Sequence, residues 1–175
     1  METKIITEAS KQDIRLKNDP FSLYGKMIPT LTGEKWSYDI QLFPVSEISE
    51  MCFPDEDYDF DEMKDNSTFI GAYDGDKCIG LAVLQEHWTR YIYLHDLKVS
   101  KPYRRQGAGQ LLIERAGEIA LEKGYRGIYT VGQYNNLAAC QFYIKNGFLI
   151  GGFNNRVYTG TSQEGNADIL FYFDC

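Results

Sequence analysis

The chain has 175 residues, of which 43% are hydrophobic, and 25 acidic residues outnumber 18 basic ones to give a formal net charge of −7. This length predicts one domain over residues 1–175 with a sizeable core. The acidic surplus disfavours a general nucleic-acid-binding protein, because such proteins take their affinity from a basic surface. It favours cationic partners wherever the acidic residues cluster.

Cysteine spacing and hydropathy limit the class of protein further. The four cysteines form no C-x-x-C pair, so we expect reduced thiols and no metal site. No stretch has the character of a signal peptide or a membrane span, so we expect a cytoplasmic protein without a membrane partner. The sequence leaves open whether the chain forms a homodimer.

The first third of the chain predicts few regular elements. Residues 1–15 have a mixed pattern that fits an edge strand or a mobile arm. Residues 20–29 mix apolar residues with glycine and proline, so we expect an irregular packed segment. Residues 36–43 alternate apolar and polar side chains, which is typical of a strand, and a short helix is expected over residues 45–52.

An acidic run follows at residues 55–65 and contains seven acids against one lysine. One interpretation is a solvated loop or helix end whose charges repel one another. The other is an electrostatic collar for a cationic substrate, lined by Asp59, Asp61 or Glu62, with the two aromatic residues of the run as groove walls. The mid-loop glycine of an EF-hand is missing, so calcium is not expected.

Three consecutive antiparallel strands are predicted next. Residues 68–73 and 78–85 form two strands joined at Asp74-Gly75, a strong hairpin-turn signal. Residues 91–99 follow as a central strand covered on both sides, because they are apolar or aromatic on both faces for most of their length.

The central strand leads into a basic, glycine-rich turn at residues 104–109, with the sequence RRQGAG. Glycine lets a backbone come close to a ligand, and the free N–H groups at the start of a helix favour an anion, above all a phosphate. The alternative is a tight turn with two solvated arginines. The turn lacks the pattern of a dinucleotide-binding fingerprint and that of a P-loop.

The second half of the chain alternates between helices and strands. The pattern predicts a helix over residues 109–123, a strand over 127–131, a helix over 137–145, and strands over 148–153 and 167–173. Gly124 ends the first helix and Asn136 caps the second. The order β-β-β-α-β-α-β-β predicts an α+β fold with a mixed, mostly antiparallel central sheet flanked by helices.

Two separated motifs resemble those of the GNAT N-acetyltransferase superfamily. The first resembles the acyl-CoA pyrophosphate loop and reads Val99, then Arg104-x-x-Gly107-x-Gly109. The second resembles the other GNAT motif and reads Asn136-x-Ala138-x-x-x-Phe142-Tyr143-x-x-x-Gly147-Phe148. The order of strands and helices between the two motifs also fits the superfamily.

A closer resemblance, to the streptothricin acetyltransferases, extends over nearly the whole chain. It rests on Asp19-Pro20-Phe21, Gly25, Ile28-Pro29, Trp36, Asp76-Lys77-Cys78-Ile79-Gly80 and Trp88-x-Arg90-Tyr91. It implies transfer of an acetyl group from acetyl-CoA to a primary amine of a small cationic antibiotic. The candidate substrate-binding residues are Asp59, Asp61, Glu62 and Trp88.

The resemblance also implies which residues hold acetyl-CoA. Backbone groups of Leu97 and Val99 would bind the pantetheine arm and supply a donor to the oxyanion, and Asn136 would reach the same arm. The pyrophosphate would lie on Arg104, Arg105, Gln106, Gly107, Ala108 and Gly109, where the arginine side chains add positive charge.

The predicted catalytic residues are Tyr143, Asp96 and His95. In the family, Tyr143 would lie beside acetyl-CoA and protonate the departing thiolate, whereas its alternative role is aromatic packing on an amphipathic helix. His95 and Asp96 stand where many relatives carry Glu-Asp, and they point to opposite faces of the strand unless a bulge intervenes. Either is a candidate base, and a structural role for both, with a water chain as the base, stays open.

The alternatives to an antibiotic N-acetyltransferase are a polyamine or aminoglycoside N-acetyltransferase and a catalytically silent acyl-CoA-binding module. The acidic surplus suits any polycationic acceptor, so net charge does not distinguish an antibiotic N-acetyltransferase from a polyamine or aminoglycoside N-acetyltransferase. A protein that binds acetyl-CoA and acetylates no amine would support the third.

Overall fold

The computed structural model describes every residue from Met1 to Cys175. Its eleven strands are β1 (Glu2–Ile5), β2 (Phe21–Leu23), β3 (Gly25–Thr32), β4 (Lys35–Leu42), β5 (Ser49–Met51), β6 (Ser67–Asp74), β7 (Lys77–Gln85), β8 (Tyr91–Val99), β9 (Gly127–Gln133), β10 (Leu149–Asn154) and β11 (Asp168–Asp174). Its three α-helices are α1 (Phe60–Met63), α2 (Ala108–Glu122) and α3 (Leu137–Lys145). Short 3₁₀ segments occur at Glu8–Arg15, Val45–Glu47 and Lys101–Tyr103.

The chain divides into two compact units, each built from segments that are distant in sequence. The first unit contains residues 1–20, 52–128 and 174–175. The second unit contains residues 21–51 and 129–173. None of the helices is both long enough and apolar enough to cross a bilayer.

The first unit is an antiparallel sheet with the strand order β1-β6-β7-β8. Side chains alternate along β7, so Gly80 faces Leu112 of α2 on one side of the sheet. On the other side, Leu81 and Val83 belong to a buried cluster with Ile6, Ile14, Tyr58 and Phe69. The sheet is therefore covered by α2 on one face and by the N-terminal segment and the acidic run on the other.

The second unit combines the strand order β9-β11-β10 with two smaller pairs, β2 with β5 and β3 with β4. Helix α3 lies close to β3 at Gly25, where an added Cβ would be only 2.9 Å from Leu137 Cδ2 and 2.7 Å from the Gln41 carbonyl oxygen. Glycine is required there because no side chain fits between the strand pair and the helix.

The predicted order from β6 to β11 is confirmed: three antiparallel strands, a helix, a strand, a second helix and two strands follow one another. The protein is thus an α+β fold with a mostly antiparallel sheet and a few helices. The hairpin turn is at Gly75, with φ +60°, and the helix-ending glycines Gly124 and Gly147 have φ of +80° and +88°. The edge strand expected in residues 1–15 is β1, which lies at the end of the first unit's sheet.

Two predictions for the first third of the chain are wrong. Residues 20–29 are not irregular but contain β2 and the start of β3. The Tyr24 carbonyl accepts from the Phe43 N–H, so Tyr24 and Phe43 form a hydrogen-bonded pair. Hydrogen-bonded and non-hydrogen-bonded pairs alternate along β3 and β4, and this makes Pro29 and Tyr38 a non-hydrogen-bonded pair. Proline is therefore tolerated in this strand, because the N–H that it lacks would have had no partner in β4.

The prediction of a helix over residues 45–52 is also wrong. A single 3₁₀ turn at Val45–Glu47 is followed by β5, which pairs with β2 from Phe21↔Met51 to Leu23↔Ser49. The partner strand lies almost thirty residues earlier in the chain, so local propensity could not indicate the pairing.

Candidate active site

Strand β8 contains a bulge at His95 and Asp96, the two candidates for the catalytic base. Val83 of β7 pairs with Asp96, but the next residue, Leu84, pairs with Leu94, so His95 is an extra residue without a partner in the register. Tyr58 lies against both bulge residues: its ring is 6.0 Å from the His95 ring, and its hydroxyl donates to Asp96 Oδ2 at 3.2 Å. The bulge therefore overrides the simple alternation that would send His95 and Asp96 to opposite faces.

Asp96 belongs to a largely buried cluster of charges in the first unit. The Lys98 ammonium pairs with Asp96 Oδ2 at 3.1 Å and with Glu56, and its side chain is only 10% exposed. Asn18 donates from Nδ2 to the Glu56 carboxylate at 3.1 Å. Lys98 Nζ also lies 5.7 Å from the centre of the Tyr58 ring. One buried cation thus links two carboxylates that come from different parts of the chain.

The ionisation of this cluster follows from burial and from the position of Lys98. Burial raises the pKa of Asp96, and the nearby Lys98 ammonium opposes this rise. Burial also acts to raise the pKa of Glu56, but hydrogen bonds from Lys98 and Asn18 outweigh it, so the pKa of Glu56 is lowered. Burial, together with Asp96 and Glu56, raises the pKa of the Tyr58 hydroxyl, which therefore remains a hydrogen-bond donor at neutral pH.

The predicted pyrophosphate loop has a backbone that exposes N–H groups at the start of α2. Gly107 is the N-cap with φ +93°, and Arg105 also has a positive φ of 62°. Leu111 makes the first helical bond, to the Gly107 carbonyl at 3.0 Å, so the amides before it have no helical partner. No side chain caps this helix. The loop is thus shaped to present several N–H groups to an anion.

Arg104 holds this loop in place. Its guanidinium donates to three backbone carbonyls, those of Val99 at 3.0 Å, Pro20 at 2.9 Å and Asp19 at 3.1 Å. The Asp19 carboxylate in turn accepts from the Lys101 N–H at 2.7 Å. Arg104 therefore contributes positive charge from a fixed position inside the loop, whereas the side chain of Arg105 is exposed.

The backbone N–H and C=O groups of Leu97 and Val99 in β8 are directed away from β7. Ser100 donates to the Ile79 carbonyl at 2.8 Å, which makes that pair hydrogen-bonded. Because hydrogen-bonded and non-hydrogen-bonded pairs alternate in an antiparallel ladder, Val99 opposite Gly80 and Leu97 opposite Ala82 are non-hydrogen-bonded pairs. Their N–H and C=O groups are thus directed away from β7, as binding of an extended ligand arm along the strand requires.

Tyr143 lies on α3 within an aromatic cluster of the second unit. Only 8% of the residue is exposed, and its ring centre lies 5.6 Å from that of Phe142, 5.3 Å from Phe148 and 5.2 Å from Phe171. The packing role that we considered for Tyr143 is therefore real. It does not exclude a role for the hydroxyl, because such packing also fixes the position of the ring.

Asn136 caps α3, as predicted, with Oδ1 accepting from the Ala139 N–H at 3.2 Å. Its backbone also forms an isolated bridge with Gly25 at the start of β3. Capping uses the side-chain oxygen, so the amide nitrogen is the part of Asn136 that can bind a pantetheine carbonyl.

The three acidic candidates for substrate binding have structural contacts of their own. Asp59 is the N-cap of α1 and accepts from the N–H groups of Asp61 and Glu62. Asp61 pairs with Lys11 at 3.2 Å and with Lys64 at 2.9 Å. All three acidic residues are exposed, so they retain access to solvent and to a charged ligand.

Trp88 is 90% exposed and its ring lies 5.8 Å from the His87 ring. It lines a cleft of about 350 Å³ in the first unit together with Glu86, Arg90, Lys123 and Tyr125, among other residues. A large aromatic face that is free of packing is available to a ligand.

The Glu56–Lys98–Asp96–Tyr58 cluster was not predicted from the sequence. Tyr58 was expected only as a groove wall, and no role was predicted for Lys98 or Glu56. The available signal was Lys98 in a mostly apolar strand, since a lysine that becomes buried requires a paired carboxylate. The sequence could not show which of the acidic residues supplies that partner.

The comparisons with known proteins agree with this geometry. The Acetyltransferase (GNAT) family profile matches residues 36–148. "Streptothricin acetyltransferase A" of Bacillus subtilis (strain 168) is 29% identical over 168 residues, which is 96% of each chain. A candidate streptothricin acetyltransferase from Bacillus anthracis str. Ames, solved in complex with acetyl coenzyme A, is 30% identical and superposes with a TM-score of 0.86 over 99% of this chain and 97% of that one.

A third comparison, with the nourseothricin acetyltransferase structure, supports the fold alone, because the identity is only 23% at a TM-score of 0.79, over 99% of this chain and 98% of that one. The family match covers more than half of the chain, and it includes both the loop before α2 and the helix that carries Tyr143. The chain belongs to the GNAT acetyltransferase family and is an acetyl-CoA-dependent N-acetyltransferase.

Proposed function

We propose that this enzyme transfers the acetyl group of acetyl-CoA to a primary amine of streptothricin and so inactivates the antibiotic. The observation that carries this proposal is the similarity to "Streptothricin acetyltransferase A" of Bacillus subtilis over 96% of both chains. The net charge of −7 adds support, because streptothricin is a polycation. We also propose that residues 1–175 act as one N-acetyltransferase domain.

The residues of the chain fit acetyl-CoA. Uncapped amides at the start of α2 suit the pyrophosphate, and the outward backbone of Leu97 and Val99 suits the pantetheine arm. Arg105 and the anchored Arg104 supply positive charge near the pyrophosphate. When bound, acetyl-CoA supplies the activated acetyl thioester. A backbone N–H at the end of β8 would stabilise the oxyanion that forms on the thioester carbonyl.

The two proton transfers are assigned to different residues. An alkylamine with a pKa of about 10.4 is charged at neutral pH, so it must lose a proton before it attacks. We assign this step to the bulge of β8, where Asp96 and His95 lie beside Tyr58. The Tyr143 hydroxyl would give a proton to the departing thiolate.

The test is thiol release from acetyl-CoA, followed with a chromogenic reagent after correction for the free cysteines of the protein. Streptothricin, kanamycin, spermidine and a sample without acceptor are compared at equal concentrations. We expect rapid release with streptothricin and a product heavier by one acetyl group in mass spectrometry.

Each other outcome has a defined meaning. Turnover with spermidine or kanamycin but not with streptothricin would support N-acetyl transfer and exclude streptothricin as the substrate. Silence with every amine, together with thermal stabilisation by acetyl-CoA, would leave a binding module as the better description. The polyamine and aminoglycoside alternatives remain because the acidic surplus suits all these polycations.

A further inference from the structure

The protein holds the Asp96 carboxylate by only one of its two oxygens. The Tyr58 hydroxyl donates to Asp96 Oδ2 at 3.2 Å, and the Lys98 ammonium pairs with the same oxygen at 3.1 Å. Tyr58 is 7% exposed and the side chain of Lys98 is 10% exposed. Both donors therefore bind Oδ2 from the interior of the first unit, and neither contacts Oδ1.

The other oxygen, Asp96 Oδ1, is open to solvent. It accepts no hydrogen bond from the protein, because both contacts of this carboxylate are made by Oδ2. The unpaired side-chain oxygens that are fully enclosed belong to Gln133 and Asn135, and Asp96 Oδ1 is not one of them. The small exposed part of the Asp96 side chain therefore includes the oxygen that has no partner.

Lys98 is shared by two carboxylates and cannot neutralise both. The Glu56 carboxylate pairs with Lys98 and accepts from Asn18 Nδ2 at 3.1 Å on each of its oxygens. One ammonium and two carboxylates leave the cluster with one surplus negative charge. Because Glu56 has donors on both oxygens, the surplus charge falls on Asp96, whose Oδ1 has none.

The groups that set the proton affinity of Asp96 come from β8 and from the acidic run. Burial raises the pKa of Asp96, the Glu56 carboxylate adds to this rise, and Lys98 and Tyr58 oppose it. The residue opposite Asp96 in β7 is Val83, which carries no charge. Asp96 thus combines a raised proton affinity with one oxygen that is free to accept a proton.

His95, the other residue of the bulge, is not prepared in this way. Its side chain is exposed, and its ring lies 6.0 Å from the Tyr58 ring and 5.6 Å from the Tyr93 ring. No hydrogen bond from the protein fixes either ring nitrogen. The imidazole therefore lacks a partner that would select the tautomer that a base requires.

We propose that Tyr58, Lys98 and Glu56 are positioning residues that prepare Asp96 to take the proton of the substrate ammonium on Oδ1. The N–H bond breaks, its electron pair stays on the nitrogen and attacks the thioester carbon, and the proton passes from Oδ1 to solvent water. The inference rests on the proposed function, since it names what prepares the base of that reaction.

The test is the pH dependence of kcat/KM for streptothricin in two variants. Tyr58→Phe removes a donor to Asp96 Oδ2 and keeps the ring, so the pKa of Asp96 should rise and the acid limb should move to higher pH. Glu56→Gln removes a neighbouring negative charge, so the pKa of Asp96 should fall and the acid limb should move to lower pH. A purely structural cluster would not produce shifts of opposite sign.

Each variant has a matched control. Tyr73→Phe removes a hydroxyl that is equally buried, at 7% exposure, and that donates to Asp13 Oδ2 at 2.7 Å away from the bulge. Asp57→Asn removes an exposed carboxylate next to Glu56 and makes the same change in net charge as Glu56→Gln. We expect both controls to keep the acid limb of the wild type. An unmoved limb in Tyr58→Phe and Glu56→Gln, or equal shifts in variants and controls, would overturn the proposal.

A rate comparison at neutral pH separates the two bulge residues. We expect Asp96→Asn to lower kcat about 10²- to 10⁴-fold, as for loss of a general base, and His95→Gln to lower it by less than about tenfold. Tyr58→Phe should lower kcat/KM about tenfold, because a hydrogen bond to a charged group is lost. A folded Asp96→Asn variant with a smaller loss than His95→Gln would overturn the assignment of the proton to Asp96.

Failure of the proposed function gives a different result. If the wild-type enzyme does not acetylate streptothricin, that function fails, and the positioning roles are tested without turnover by NMR titration of the labelled Asp96 carboxyl carbon. A higher pKa in Tyr58→Phe and a lower pKa in Glu56→Gln would support these roles. The same pKa in the wild type and both variants would overturn them.

Discussion

Tyr143 has a packing role and a proposed catalytic role that depend on different atoms. The ring contacts Phe142, Phe148 and Phe171, and only the hydroxyl can transfer a proton. Removing the oxygen therefore separates the two roles without leaving a cavity large enough to unfold the aromatic cluster.

We predict that Tyr143→Phe lowers kcat about 10²- to 10³-fold, as expected for loss of a general acid, and changes the melting temperature little. The measurement is steady-state kinetics with streptothricin and acetyl-CoA, beside a thermal melt. Tyr91→Phe is the control, because it removes a tyrosine hydroxyl that bonds to Asp174 outside the predicted site. Wild-type kcat in Tyr143→Phe would show that packing is the only role of Tyr143.

Lys98 is the residue on which the charge balance of the first unit depends. Its side chain is 10% exposed, and it is paired with Glu56 and with Asp96, whose side chains are 27% and 15% exposed. Removal of one partner leaves uncompensated buried charge, which costs more than the pair itself contributes to stability.

We predict that Lys98→Met lowers the free energy of unfolding by about 3 kcal/mol in urea titrations at neutral pH. The matched control is Lys123→Met, which removes an exposed pair with Glu86 and should cost about 0.5 kcal/mol or less. Equal losses in the two variants would mean that the buried cluster is no more important than a surface ion pair.

The loss in Lys98→Met should also depend on pH. Without the ammonium, the pKa of Asp96, which burial already raises above 3.8, rises further, and the pKa of Glu56 is no longer lowered by Lys98, so burial raises it above 4.5. The folded variant then binds more protons than its unfolded chain, so its stability falls as the pH rises through this range. The gap between wild type and variant should be smallest near about pH 3 and largest near about pH 7. A gap that is constant with pH would contradict this account.

At the scale of elements, the loop before α2 depends on a backbone conformation that glycine adopts most easily. Gly107 at the start of the helix and Gly124 at its end both have positive φ, +93° and +80°, and an added Cβ would meet nothing within 4 Å at either position. Substitution at each site therefore changes backbone strain and not packing.

We predict that Gly107→Ala and Gly124→Ala each cost about 1–2 kcal/mol of stability, because both place alanine in the left-handed region. Only Gly107→Ala should raise the KM for acetyl-CoA, by about tenfold, because only this end of the helix presents amides to the pyrophosphate. Chemical denaturation and kinetics measure the two effects. Equal KM values for acetyl-CoA in the two variants would place the pyrophosphate elsewhere.

At the scale of the whole molecule, the net charge of −7 should attract a polycationic substrate from a distance. The exposed acids of the proposed collar, Asp59, Asp61 and Glu62, would strengthen this field near the substrate entry. We predict that replacing all three with their amides raises the KM for streptothricin several-fold at low salt. The effect should disappear near about 0.5 M salt, where screening is strong.

The control for this prediction makes the same change in net charge elsewhere. Glu34, Asp39 and Glu47 are exposed acids of the second unit with no assigned role, and their combined replacement should change the KM less. An unchanged KM in the Asp59, Asp61 and Glu62 variant at low salt would end the collar hypothesis. Equal effects of the two triple variants would show that only the total charge matters.

Elements with strong local signals could be predicted from the sequence. The hairpin at Gly75, the amphipathic α2, the Asn136 cap and the order of elements from β6 to β11 all follow from turn chemistry, capping and periodicity. The two separated motifs were also sufficient for the family, because each combines residue types with a fixed position relative to a strand or helix.

Features that join distant parts of the chain could not be predicted from the sequence. β5 pairs with β2, Arg104 bonds to the Asp19 and Pro20 carbonyls, and Lys98 selects Glu56 from an acidic run. The bulge that brings both His95 and Asp96 against Tyr58 depends on the register of β8 with β7. Such contacts are set by packing and by the need to pair buried polar groups, and neither is encoded in a local pattern of residues.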